Sequence, residues 1–319
     1  MIWILFILLI MGLLALDLGV FHRKSETVSM KESLVWTLIW IAVSLLFGIA
    51  IFYIYKFNFM NINHQNIPAG EALLNYYTGY VIEKTLSLDN IFVIALIFTY
   101  FKIGSKYQHN ILFWGILGAI VFRGLMIWLG AAFIHKFAWS TYVLGGILIY
   151  SGIHMLFSKQ EDTDFEKNFA LRMLSKLYPI KWNLRTDKYF VSENGKKFIT
   201  ASFAALIVIE FTDILFAVDS IPAILAITTD PFIVFTSNIF AILGLRTLYF
   251  FLAGMLDKFQ YMKYSLVFIL VLVGIKMMLV HFYKFPTLVS LSLILGALAI
   301  GIFASIAKAK KDEVQGKNI

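Results

Sequence analysis

Nine apolar runs, each long enough to cross about 30 Å of hydrocarbon as a helix, constrain this chain more than any other feature. They lie at 2–20, 34–55, 72–101, 111–134, 139–157, 198–229, 232–256, 264–282 and 287–306. In lipid every backbone polar group must find its partner inside the protein, and runs of this length do so as helices. The expected fold is an all-α integral membrane protein of about nine transmembrane helices. Composition agrees, since 60% of residues are hydrophobic and 14% are charged, whereas soluble domains carry about 25% charged residues.

Basic residues set the expected orientation. With the N-terminus outside, 20 of the 27 Lys and Arg fall in cytoplasmic segments and three outside; Lys84, Arg123, Arg246 and Lys276 lie within spans. Cytoplasmic loops gather Lys and Arg, so the C-terminus is expected inside. The formal charge of +8 then reflects topology and contact with lipid headgroups rather than nucleic acid. The first run carries Asp17 and lacks a basic leader and a clear cleavage site, so it reads as a retained helix. Cysteine is absent, which excludes a disulfide framework, a thiolate metal site and a thiol redox motif.

Weak internal symmetry divides the chain. Glu83 and Glu210 share a Val-Ile-Glu-x-Thr context, Arg123 and Arg246 follow in the next span of each half, and Gly152-Ile-His-Met matches Gly274-Ile-Lys-Met. The expected layout is one transmembrane domain, 1–319, holding three-helix repeats at 72–157 and 198–282. A polar cytoplasmic loop at 158–197, with an amphipathic stretch at Leu171–Leu177, separates them, and 307–319 forms a cytoplasmic tail. The second repeat enters from the opposite side, so the repeats are inverted, as in alternating-access transporters whose site lies between the repeats.

Two spans carry acids that a bilayer disfavours by several kcal/mol unless they face a cavity or a partner. The acids are Glu83 and Asp89 in the third run, beside Lys84 and Asn90, and Glu210, Asp213 and Asp219 in the sixth, beside Ser220. On straight helices Asp89 points away from Glu83, and Asp219 from Glu210, so convergence of all these acids is expected to require local unwinding. Pro222 would free carbonyls near residue 218. Carboxylates with Asn and Ser oxygens form an all-oxygen set suited to Mn²⁺, Mg²⁺ or Ca²⁺ as a transported ion, with no tightly bound cofactor. Crowded carboxylates in a low dielectric are also natural proton carriers.

Plainer roles stand beside these. Glu83 with Arg123, or Glu210 with Arg246, can be a buried ion pair that fixes packing. Asp17 suits structural pairing as well as ion contact. His154 reads as interfacial, Met277 and Met278 as packing, and Glu71 as a first-turn acid favoured by the helix dipole.

Through Ala15–Lys24, Glu83–Asn90, Glu210–Ala223 and Asn238–Arg246 the chain resembles the TerC family of bacterial integral membrane proteins, named for tellurium resistance. The resemblance spans nearly the whole sequence, with Thr85 standing where many members have Ser. It implies a manganese exporter of the cytoplasmic membrane, similar to the Alx-type branch, with metal contacts at Glu83, Asp89, Asn90, Glu210, Asp213, Asp219 and Ser220. Charge pairs at Arg123, Arg246, Lys84 and Asp17 support them. Expected partners are the divalent ion, protons and the bilayer; a homo-oligomer and secretion-machinery partners stay open. The chain is not expected to be an enzyme, because an intramembrane aspartyl protease needs a Gly-x-Gly-Asp string that neither acidic segment has. The competing reading is a membrane scaffold that assists metallation or assembly of secreted proteins.

Overall fold

The computed structural model describes residues 1–21, 30–137, 139–157, 171, 173–174, 179–181, 188–193, 196–253, 261–280, 282–283 and 285–316; among these, the side chains of 18–21, 89, 92, 135, 196, 253, 262 and 309–316 lie outside the description. The chain forms a helical membrane bundle. Helices α1 (Ile2–Phe21), α2 (Met30–Lys56), α3 (Ala69–Tyr100), α4 (Ser105–Lys136) and α5 (Ser140–Phe157) precede a small sheet, β1 (Ile180–Lys181), β2 (Phe190–Glu193) and β3 (Lys196–Thr200). Then come α6 (Ala201–Leu225), α7 (Pro231–Ile242), α8 (Leu245–Ala253), α9 (Met262–Leu279) and α10 (Thr287–Gly316).

Among the described residues, six stretches have the length and apolarity to cross a membrane: Met30–Lys56, Ser105–Ile134, Ser140–Phe157, Ala201–Leu225, Pro231–Leu252 and Thr287–Lys308. Ile2–Asp17 is a shorter apolar helix. Helix α3 has the length but carries Glu83, Lys84 and Asp89 in its middle.

Lipid-facing helices are inside out relative to soluble ones. Helix α2 buries Ser33, Thr37, Trp40, Ser44, Gly48, Ile51 and Tyr55 while exposing Leu34, Leu38, Leu45 and Leu46. Small and hydroxyl side chains let neighbouring backbones approach and supply interhelical hydrogen bonds. Thr37 accordingly donates to Thr247 of α8 at 3.1 Å, and Tyr76 of α3 donates to the Ser44 carbonyl at 3.0 Å.

Helices α7 and α8 form the centre, buried without interruption from Thr236 to Tyr249. Asp230 starts α7 by accepting from the amides of Phe232 and Ile233 at 2.9 and 3.1 Å, with Pro231 in the first turn, a strong helix-start combination. Around this centre α4 lies along α6, α3 along α7, and α5 along α9. Helices α5 and α9 approach closely at two glycines. A Cβ on Gly145 would sit 2.8 Å from the Gly274 carbonyl oxygen, and one on Gly274 would sit 2.8 Å from that of Gly145.

Three expectations are corrected. The mostly helical chain also carries an unexpected element, because the segment before α6 folds into a small sheet of order β1-β3-β2, with β1 parallel and β2 antiparallel to β3. Within Leu171–Leu177, Leu171, Met173 and Leu174 are helical; the rest lies outside the described residues. The run at 232–256 is not one continuous helix. Helix α7 ends at Ile242, Leu243 turns to an extended conformation, and Gly244 takes a φ of 77° before α8 begins. A side chain at Gly244 would also meet Trp40 of α2 at 2.7 Å, so glycine is required there for both conformation and space.

The third correction concerns unwinding. Helix α3 runs unbroken through Glu83–Asn90, and α6 runs unbroken to Leu225 with Pro222 inside it. Pro222 stands three residues from the end of α6, and its carbonyl still accepts from the Ala226 amide at 2.9 Å. No unwinding is needed because the acids of α6 reach different neighbouring helices instead of one point.

Candidate functional site

Glu83 of α3 and Asp213 of α6, one acid from each half of the sequence, meet on the guanidinium of Arg123 in α4. Arg123 donates to both Asp213 oxygens, from Nε at 3.1 Å and from Nη2 at 2.8 Å. Its Nη1 donates to Glu83 Oε1 and, at 3.1 Å, to the side-chain oxygen of Asn238 in α7. Four helices are thus tied by one cation that is 1% exposed. Ser87, one turn beyond Glu83, donates to the same Oε1 at 3.4 Å. Asn238 is fixed in turn by donating to the Val234 carbonyl at 3.3 Å. Removing one partner from a buried ion pair of this kind would leave an uncompensated charge in a low-dielectric core.

The other acids of α6 go elsewhere. The Glu210 carboxylate lies against α4 in the space a Cβ on Gly118 would fill. Asp219 accepts from Ser151 of α5 at 2.7 Å. Two small cavities open beside α6. One, of about 40 Å³, is bordered by Asn90, Thr212, Asp213 and Phe216 and reaches the α7–α8 break at Ile242 and Leu245. The second, of about 20 Å³, is bordered by Asn90, Met155, Phe216, Asp219 and Ser220. Each exceeds the roughly 10–15 Å³ needed for one water-sized occupant. Asn90 and Phe216 border both cavities.

Lys84 turns away from the carboxylates. Its ammonium donates to the carbonyls of Ala241 and Leu243 at 3.1 and 3.5 Å, the groups released where α7 breaks. Arg246 does not meet Glu210, so the expected pair between them is corrected. Arg246 donates instead to Asp17 of α1, through the side chain and, at 3.1 Å, the main-chain oxygen, and lies 3.0 Å from the His109 ring nitrogen. Asp17 therefore anchors α1 structurally, which a separation of 229 residues concealed in the sequence.

Of the expected site residues, the fold brings Glu83 and Asp213 together, and gathers Asn90, Asp219 and Ser220 around the second cavity. Glu210 of α6 stands apart, against Gly118 of α4, and the side chain of Asp89 lies outside the described residues. Glu83 Oε2, Glu210 Oε2 and Ser220 Oγ are buried with no hydrogen-bond partner among the described residues. No three carboxylates or imidazoles stand together in a metal cage among those residues. Sequence reasoning missed Asn238, Ser151 and Gly118. Asn238 and Ser151 are common neutral residues in apolar helices, and Gly118 matters only through what lies against it.

The chain matches the integral membrane protein TerC family over residues 69–313. It belongs to the TerC family. That stretch takes in α3 through most of α10 and every acid of the site. A membrane protein of Rickettsia bellii, itself uncharacterized, is 45% identical over 96% of this chain and 97% of its own length. A Myxococcus xanthus membrane protein, also uncharacterized, is 46% identical over 97% of this chain and 92% of its own. A Salmonella typhi protein called Alx, whose name proposes a membrane-bound redox modulator, is 39% identical over 94% of this chain and 92% of its own. No solved structure matches the chain. Together with the six long apolar helices, these relatives make the chain a multi-pass membrane protein of a bacterial family.

Proposed function

We propose that this protein is a secondary transporter that exports a divalent cation, Mn²⁺ being the intended ion, from the cytoplasm through the acidic core, in exchange for protons. The observation that carries the reading is the meeting of Glu83 and Asp213 from opposite halves, beside two small, mainly apolar cavities that share Asn90 as a border, one carrying Asp213 and the other Asp219. Glu83 and Asp213 share the guanidinium of Arg123, while Glu210 and Asp219 meet no cation among the described residues. Carboxylates in such a setting are suited to taking up protons or a divalent ion. Outward movement of a divalent ion against 100 mV, inside negative, costs about 4.6 kcal/mol, twice the single-charge figure, so an inward proton flow would drive it.

An inverted pair of three-helix units fits this reading, with the N-terminus outside and nine crossings in all. Helices α5 and α9 are both 18 residues long, and the packing of α4 on α6 corresponds to that of α3 on α7. Among hard cations, Mg²⁺ gives up its water reluctantly and demands near-ideal octahedral geometry, which disfavours it in chambers this small. The chain acts in this view as a carrier and not as an enzyme. Having no cysteine, it offers no thiol for disulfide exchange, so redox modulation of the kind named for the Alx relative would arise here through the metal content of the cell.

The test is uptake of radiolabelled Mn²⁺ into inverted vesicles under an imposed proton gradient, for the parent and for Asp213→Asn and Asp219→Asn. Parent vesicles should accumulate the metal and both variants should lose uptake. Undiminished uptake in both variants would reject the site. Manganese-loaded cells should hold less manganese with the protein than without it, at unchanged calcium and magnesium.

A further inference from the structure

We propose that Arg123 is the built-in counter-ion of this site, a tethered stand-in for the transported cation that must release Asp213 before a metal ion can be held. The inference rests on the transporter reading and adds the element that sets affinity and drives release.

The four bonds of Arg123 are unequal in what surrounds them. Glu83 is fully buried and also takes the Ser87 hydroxyl, and Asn238 is buried and fixed to the Val234 carbonyl. Those contacts tie α3, α4 and α7 into a fixed corner. Asp213 keeps 19% of its side-chain surface open and borders the larger cavity. It is the partner with room to move. A second, independent sign of a missing ligand is the other Glu83 oxygen, Oε2, buried in the same core without a partner among the described residues.

Charge explains why such a group is useful. Two bare carboxylates left behind after a metal ion departs would face a large desolvation penalty. A guanidinium that forks onto Asp213 removes that penalty without a proton, and the fork is a geometry that lysine cannot reproduce. Arrival of a divalent ion reverses the preference, because the ion and the guanidinium repel each other and compete for the same oxygens. Asp213 then turns toward the cavity and the ion, while Arg123 stays with Glu83 and Asn238. Return of Arg123 to Asp213 expels the ion.

The proposal sets two measurable quantities moving in opposite directions. In the full-length protein in lipid nanodiscs, Arg123→Lys should bind Mn²⁺ roughly tenfold more tightly than the parent by titration calorimetry, because a point charge competes less well than a fork. In vesicles the same variant should transport more slowly, because release is no longer driven. A group that merely held the helices together would lower affinity and rate alike. Arg123→Gln extends the series if it folds, with affinity higher still; Arg123→Lys carries the test if it does not. Parent-like or weaker Mn²⁺ binding by Arg123→Lys overturns the counter-ion role and leaves the transporter reading standing. Absence of Mn²⁺ binding and flux in the parent removes both.

Discussion

Arg123 and Arg246 occupy corresponding places in the two halves of the sequence, both are 1% exposed, and they are used differently. Arg123 joins acids from α3 and α6 beside a cavity. Arg246 holds α1 to the bundle through Asp17 and meets His109 of α4. Glu83 therefore has a guanidinium, and its counterpart Glu210 rests on the bare face of Gly118 instead. Similar strings in the two halves thus carry the same charges with different pairing. One half supplies acids that are already bridged, and the other leaves an acid with a buried oxygen that has no partner among the described residues. The difference separates a group that fixes the fold from one placed where an ion can compete with it.

The largest expected effect tests the fixing role. Asp17→Ala leaves Arg246 without its carboxylate in a buried setting, which should cost about 3–5 kcal/mol in denaturant unfolding, while the Mn²⁺ affinity of the folded fraction stays at the parent value. A loss of affinity at parental stability would mean that both arginines serve the site. Next is Gly118→Ala. Its methyl group takes the position of the Glu210 carboxylate, so stability should fall by about 1–3 kcal/mol from overpacking, and vesicle flux should fall by more than the loss of folded protein explains. Gly146→Ala, where no atom lies within 4 Å, is the control and should change neither.

Lys84→Met probes the break between α7 and α8. Removing the ammonium leaves the Ala241 and Leu243 carbonyls without that donor, for about 1–2 kcal/mol in thermal unfolding. A parental melting curve would show that the break holds without it. The smallest effect belongs to Ser151→Ala, which removes one hydrogen bond from Asp219, worth about 1 kcal/mol. It should shift Mn²⁺ affinity by less than tenfold in calorimetric titration. A larger shift would make the second cavity, and not the one beside Asp213, the main seat of the ion.

The sequence displays the membrane bundle and the acidic spans because both are local properties: length of an apolar run, and a charge inside it. Asn90, Asp219 and Ser220, singled out in two short strings, border one small cavity in the fold. Long-range pairing is another matter. Asp17 and Arg246 share no spacing rule, and their bond follows from how α1 packs on the bundle. The α7–α8 break has Gly244 as its lone local sign, in a run otherwise as apolar as its neighbours. The expectation of unwound helices at Glu83–Asn90 and before Pro222 came from requiring every acid to face one centre, whereas α6 is surrounded by partners and sends Glu210, Asp213 and Asp219 to different ones.

Close approach at Gly145 and Gly274 gives α5 and α9 the character of a single strut. At either glycine a Cβ would stand 2.8 Å from the facing main-chain oxygen, which leaves no room for a side chain there. In the proposed transporter, a motion that opened the acids to one face of the bilayer and then to the other would take this pair as its fixed post, with α3, α4, α6 and α7 as the moving leaves.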